Sequence, residues 1–387
     1  MKTIVVCFDV DRDFGLLDRR TNVFKIYVAL AREEEQLPLY IPIPAPETGK
    51  GHSEAILKVL ESLVKLEPVG VIFSLISLFA DSPEINAIKR YFFGNGIARQ
   101  IQVACEVLLD QWKPDDRIAV FGNSYSAGVA LLFAEFVHEF GLVPGERKEI
   151  LPELIERFFD QTITGRKPPG ALFRNSFSRP CQVSFIGIWD CPCDMSWIGR
   201  GPALLRPESV LRQGAEVRHA LSIDERRRFF TPLILSHVAS QSPDSRVKEV
   251  WFSGVHSDVM GSYPERESGL SQVALAWMMN ESAACGIRFE QERRRRILGR
   301  TEIGTELKGW PSFEPPDPLG PIHDSFRFMW WQMELYPQRL PNKRWRIPLG
   351  RRREIPSDAL IHRSVCDRIS ALHYSPENLP AHFEIDG

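Results

Sequence analysis

Apolar residues fall in two kinds of run along this chain: short unbroken blocks, and longer stretches with a helical period. Ile4–Phe8, Leu39–Ile43, Arg117–Phe121, Val183–Trp189 and Val247–Phe252 are compact and rich in β-branched and aromatic residues. Blocks of that kind read as strands buried on both faces. Thr231–Ser236 reads as a further extended piece. Helical spacing predicts helices over Val23–Ala31, capped by Thr21-Asn22, and over Ala55–Leu66, Ile97–Gln111, Tyr125–Phe140 (stopped by Gly141), Leu151–Phe159 and Leu270–Gly286. The charged segment Asp224–Phe230 is also expected to be helical, and Gly165–Pro180 to be a loop. Residues 68–95 suit an insertion near a site entrance. Strands alternating with helices predict an α/β class chain: a mostly parallel sheet with helices on both faces.

In such a sheet ligands bind at the carboxyl ends of the strands. Asp9, Ser124, Asp190 and His256 all fall at such ends. Beyond about residue 290 the texture changes, with the run Arg293–Arg296, a proline-rich stretch, Trp330-Trp331 and the run Arg351–Arg353. This predicts residues 1–290 as one domain and residues 291–387 as an irregular C-terminal extension packed on it. The arginine runs read as solvated faces, with weak contact to an anionic surface as the alternative for Arg293–Arg296.

The 387 residues are 43% hydrophobic and 25% charged, with a net charge of −2, which fits a soluble globular protein and gives no reason to expect nucleic acid as a partner. Seven scattered cysteines do not form a disulfide framework. There is no run of apolar residues long enough for a membrane span, and Ile4–Phe8 is too short for a secretory leader. The expected setting is cytoplasmic.

The densest chemistry lies at Gly122-Asn-Ser-Tyr-Ser-Ala127. A strand, a small-residue turn bearing serine and a helix form the context of a nucleophile elbow. A serine hydroxyl needs a base, and His256 fits because imidazole exchanges protons near neutral pH. The base needs a carboxylate to fix its tautomer, a role expected of Asp190, with Asp258 as the competitor that more naturally orients the histidine loop. Tyr125 N–H at the helix start and Val10 N–H after the first strand are the expected oxyanion donors. Asp9, Asn123 and His219 are expected to support the site or touch substrate. The Asp9, Asp11, Asp13 cluster lacks the glycine and terminal glutamate of a calcium loop and reads as a hydrogen-bonded loop. Cys191-Pro-Cys193 is not CxxC and reads as packing. Neither a metal nor a cofactor is expected.

These motifs make the chain resemble the α/β-hydrolase family typified by the catalytic domain of type VI secretion phospholipase effectors. The resemblance runs through Ile4–Asp9, Thr21–Val23, Asp116–Ser124, Phe185–Asp190, Val217–Glu225 and Trp251–Val259. Arg353–Pro356, Ile361–Val365 and Pro376–Pro380 resemble its fungal branch. It implies a Ser–Asp–His triad at Ser124, Asp190 and His256 and a lipase- or phospholipase-like serine esterase. The family's elbow reads Gly-Phe-Ser-Arg-Gly-Ala, whereas Asn123, Tyr125 and Ser126 stand here, and Val10-Asp11 replaces Gly-Thr after Asp9. Those departures point to a small or soluble ester. The alternative is a lyase, isomerase or cyclase of small-molecule metabolism, or a catalytically silent binding protein.

Overall fold

The computed structural model describes residues 1–10, 19–42, 95–164, 170–193, 205, 208, 214–236, 246–300, 312–326, 330, 334–335, 338–339 and 345–387. The helix expected over Ala55–Leu66 and the insertion over 68–95 lie outside them. The strands are β1 (Thr3–Asp9), β2 (Arg19–Thr21), β3 (Gln36–Pro42), β4 (Arg117–Asn123), β5 (Val183–Trp189), β6 (Glu216–Ser222), β7 (Val247–Phe252), β8 (Gly261–Pro264), β9 (Gln338–Arg339), β10 (Trp345–Arg346), β11 (Leu360–His362) and β12 (Glu384–Asp386). Eight of them form one sheet in the order β12-β11-β7-β6-β5-β4-β1-β3, and every pairing in it is parallel. The described helices are α1 (Asn22–Ala29), α2 (Asn95–Gln111), α3 (Ser124–Phe140), α4 (Leu151–Thr164), α5 (Gly170–Phe177), α6 (His256–Met260), α7 (Gly269–Ala284), α8 (Gln291–Ile297) and α9 (Arg363–Ala371).

Alternation along the strands divides the core. Ile4, Val6, Phe8, Ile118, Val120, Ile186 and Ile188 face one layer, packed with residues of α2, α3 and α4. Val5, Cys7, Ala119, Phe121, Phe185 and Trp189 face the other, with residues of α1, α7 and α8. Period-2 side chains buried on both faces explain the unbroken apolar blocks. Thr21 caps α1 as expected, its Oγ1 accepting from Phe24 N at 3.1 Å. Gly141 ends α3 with φ 68°.

Three segments differ from the sequence reading. Within the Gly165–Pro180 stretch, Gly170–Phe177 is a helix, and its Phe173 and Phe177 stack one turn apart while Phe173 also packs on Phe140. Glu216–Ser222 is a strand that its polar residues concealed; they are paired, Arg218 with Glu281 and Glu216, His219 with Glu249. Asp224–Phe230 is not an α-helix: Asp224 accepts from Gly254 N, Glu225 accepts from the Arg226 and Arg227 N–H groups beside it, and only Arg228–Phe230 forms a 3-10 turn. Among the described residues beyond 290, the stretch 312–326 is irregular, while β11 and β12 join the edge of the sheet. Leu360 and Ile361 sit beside Val250 and Trp251 of β7.

The chain reverses its direction of growth across the sheet between β1 and β4, and the elbow follows β4. Gly122 is required there: a Cβ would lie 2.4 Å from Ser126 O and 2.7 Å from Ala127 Cα. Gly122→Ala should therefore cost about 1–3 kcal/mol through backbone overpacking. Urea denaturation measures it, and a loss under about 0.5 kcal/mol would contradict this account.

Candidate active site

Ser124 heads α3 at φ 48°, a left-handed conformation rare for serine. The strained turn lifts its hydroxyl from the end of β4 towards the loop after β7. There His256 opens α6 with its Nε2 2.8 Å from Ser124 Oγ. Its Nδ1 lies 2.5 Å from Asp190 Oδ2. With Nδ1–H donating to the carboxylate, Nε2 is free to accept the serine proton. Asp190 follows β5, also in a left-handed conformation (φ 47°). Ser124, His256 and Asp190 thus form one hydrogen-bonded chain, buried to 9%, 3% and 1% exposure.

The Asp190 carboxylate has a full set of donors. Ser222 N donates to Oδ1 at 3.0 Å and Ser222 Oγ to Oδ2 at 3.2 Å. Arg353 donates from one guanidinium nitrogen to Oδ1 at 2.6 Å and from the other to Oδ2 at 2.9 Å. Burial alone would raise the pKa of this carboxyl, but the Arg353 charge and the His256 hydrogen bond outweigh it and hold the group far below the usual carboxylate range.

Asp258 is turned away from the His256 ring. Its Oδ2 accepts from Val255 N at 3.0 Å and His323 N at 3.2 Å, and its Oδ1 lies 2.6 Å from His323 Nδ1. His323 is sandwiched further by the Tyr263 ring (centroids 3.6 Å) and by Glu267. The carboxylate thereby fixes the loop that aims His256. Asp9, at the end of β1, accepts from Thr21 Oγ1 and from Tyr40 OH (2.9 Å). His219 lies beneath the site: its Nε2 accepts Cys191 N–H at 3.1 Å and its Nδ1 faces Glu249 at 2.9 Å, tethering the backbone that follows Asp190. Asn123 is fully buried under the elbow with neither amide atom hydrogen-bonded. Tyr125 is the second residue of α3, and burial pushes its phenol up. Val10 directly follows β1.

Four contributors escaped the sequence reading. Glu225 Oε2 accepts His256 N–H at 3.2 Å. Burial raises its pKa, but Arg227, Arg353 and His256 bring it down to about 2. Phe230 lies on the His256 ring at 4.4 Å between centroids, with Trp330 against it. Arg227 stacks over both aromatics. Arg353 is the fourth, hidden in a run of three arginines with no local mark to single it out. The Arg293–Arg296 run has intramolecular partners too: Arg293 with Glu290, Arg294 with Asn280, Arg296 with Glu292. Among the described residues no group of three or more His, Cys, Asp or Glu is arranged to hold a metal, and no helix is long and apolar enough to cross a membrane. Asp11 and Asp13 lie outside those residues.

The parallel eight-stranded sheet with a serine at the turn after one of its inner strands is an α/β fold of the hydrolase-like kind. The family described as "T6SS, Phospholipase effector Tle1-like, catalytic domain" matches residues 2–281, and the chain belongs to it. The description of that family names a phospholipase effector's catalytic domain. It is 26% identical over 245 residues to "Uncharacterized protein YEL023C" of Saccharomyces cerevisiae (strain ATCC 204508 / S288c), a match covering 60% of this chain and 32% of the yeast protein. A crystal structure of an uncharacterized protein from Pseudomonas aeruginosa aligns with a TM-score of 0.37 at 15% identity, over 78% of this chain and 48% of that one. The chain therefore spans about a third of the yeast protein and about half of the bacterial one.

The clamp on the His256 loop has a pH signature. The hydrogen bond to Asp258 raises the pKa of His323 above its ordinary value, against a smaller opposing effect of burial. A raised folded-state pKa gives stability that is complete below the unfolded pKa and is lost as pH rises through the folded one. The stability advantage of the wild type over His323→Gln should thus be largest near about pH 5.5 and shrink towards pH 9. Urea denaturation at several pH values tests this, and a difference constant with pH would refute it.

Proposed function

We propose that this chain is a serine hydrolase of carboxylic esters. The observation that carries the reading is the 2.8 Å contact of Ser124 Oγ with His256 Nε2, at a left-handed turn heading α3. In the proposed cycle His256 takes the serine proton as Ser124 Oγ attacks the ester carbonyl, and the imidazolium is stabilised by Asp190. Tyr125 N–H and Val10 N–H receive the developing oxyanion, helped by the positive end of α3. His256 then protonates the departing alkoxide. A water, deprotonated by the same nitrogen, releases the acid and regenerates Ser124.

A small or soluble ester suits the site better than a bilayer phospholipid. Tyr125 stands at the elbow position where the family resemblance implies arginine, and Phe230 with Trp330 cover the His256 ring, leaving an aromatic wall for an apolar acyl or alcohol group. Interfacial lipases normally present an apolar or basic membrane-facing surface, whereas Arg293, Arg294 and Arg296 are paired within the chain.

Ser124→Ala should lower ester turnover by about three or more orders of magnitude with the fold intact. Wild type should also be labelled at Ser124 by a fluorophosphonate. An unlabelled wild type, or a Ser124→Ala protein that stays active or is equally labelled, would refute the serine mechanism. Rates on short-chain esters should rise smoothly through the critical micelle concentration. A jump there, or strong activation on phosphatidylglycerol vesicles at physiological salt, would make the substrate a phospholipid instead.

A further inference from the structure

The segment that follows the family match reaches into the candidate active site through one side chain. Arg353 is 8% exposed. Besides its two bonds to Asp190, its guanidinium donates to Ser222 O at 2.9 Å and to Phe230 O. Its own carbonyl accepts from Asn378 Nδ2 at 3.1 Å, and the same amide group holds Ile223 O at 3.1 Å. Seven residues on, β11 pairs with β7, the strand that leads into His256. The residue is therefore fixed from both sides.

We propose that Arg353 is a positioning residue for the reaction: it locks both oxygens of Asp190, and its charge sets the pH range over which His256 acts as a base. A fork of two parallel N–H donors orients a carboxylate plane as a single hydrogen bond cannot. Asp190 Oδ2 is thereby held in line with His256 Nδ1. The fork also has an electrostatic consequence. A triad carboxylate favours the imidazolium, and a guanidinium against that carboxylate offsets part of the effect. The other charged groups near His256 have their own partners. Glu225, on its backbone N–H, is paired with Arg227. Asp258 is engaged by His323. Asp224 accepts from Gly254 N and Tyr374 OH, with Arg352 at 3.7 Å. Removing Arg353 therefore leaves a net negative charge beside the imidazole, and the protonated ring gains.

This inference rests on the hydrolase reading for its kinetic consequences but not for its geometric one. The full-length chain is compared as wild type, Arg353→Ala and Arg353→Lys, with Ser124→Ala as the inactive control and near-UV circular dichroism as the check on folding. In Arg353→Ala the acid limb of the kcat/KM profile should move to higher pH by about one unit. Its kcat should fall about tenfold with little change in KM. Arg353→Lys keeps the charge without the fork, so its limb should stay near that of the wild type while kcat is reduced several-fold.

The readout independent of activity is the low-field proton resonance of the His256 Nδ1–H···Asp190 hydrogen bond, identified by its loss in His256→Ala. It should be present in wild type and weakened in both Arg353 variants. A folded Arg353→Ala protein with an unmoved limb overturns the electrostatic role. Wild-type kcat and resonance in Arg353→Lys overturn the lock, and this comparison decides if Arg353→Ala does not fold. If wild type neither cleaves esters nor reacts with the fluorophosphonate, the hydrolase reading has failed, and the resonance alone still decides whether Arg353 positions Asp190.

Discussion

A carboxylate with 1% exposure cannot stay ionised without compensation, and much of this molecule is arranged around supplying it to Asp190. The donors come from three separate parts of the chain: Ser222 at the end of β6, His256 after β7, and Arg353 in the C-terminal segment. Neutralising one buried charge thus ties together two adjacent central strands and a segment more than 160 residues away. Removing any one donor would expose the remaining charge to a low-dielectric interior, where an unpaired ion is costly.

The same logic separates three acidic side chains that lie close together. Asp190 faces the imidazole, Glu225 holds the backbone of His256, and Asp258 holds the loop through Val255 and His323. Each has its own cation or set of N–H donors, so each remains a distinct group with a distinct task. With Asp190 as the carboxylate at His256 Nδ1, the ring has one defined tautomer. Beneath them, His219 and Glu249 secure the Cys191 backbone and the Leu235–Ser236 turn, and so fix where Asp190 emerges.

The sheet sets the spacing of these parts. Parallel strands put their carboxyl ends on one edge, so the turns after β1, β4, β5 and β7 converge without any contact between them in sequence. Ser124 and Asp190, both left-handed, stand at adjacent strand ends, where the chain must turn sharply to leave the sheet. Strain at these positions is held by the flanking order: Gly122 accepts the close approach of Ser126 and Ala127, and Asp190 N donates to Ala220 O at 2.8 Å.

The strand blocks from Ile4 to Phe252 and the helix after Ser124 were legible in the sequence because period and local propensity agree there, and burial on both faces leaves few polar residues to blur them. The serine turn was legible for a related reason: only small residues fit around it, and that constraint is local. Glu216–Ser222 was not legible, since its polar side chains find partners on Glu281 and Glu249 that no window on the strand contains. The helix at Gly170–Phe177 likewise depends on Phe140, more than 30 residues earlier. Sequence alone determined which residue types were available for acid, base and nucleophile, and their order along the chain. Tertiary structure decided which carboxylate meets His256, since Asp190 and Asp258 are chemically identical and differ only in what surrounds them. It also decided that Arg353, one of three adjacent arginines, is buried against Asp190 while Arg351 is exposed. A local pattern records a residue's own conformational preferences; a buried charge is governed by whatever the rest of the chain brings against it.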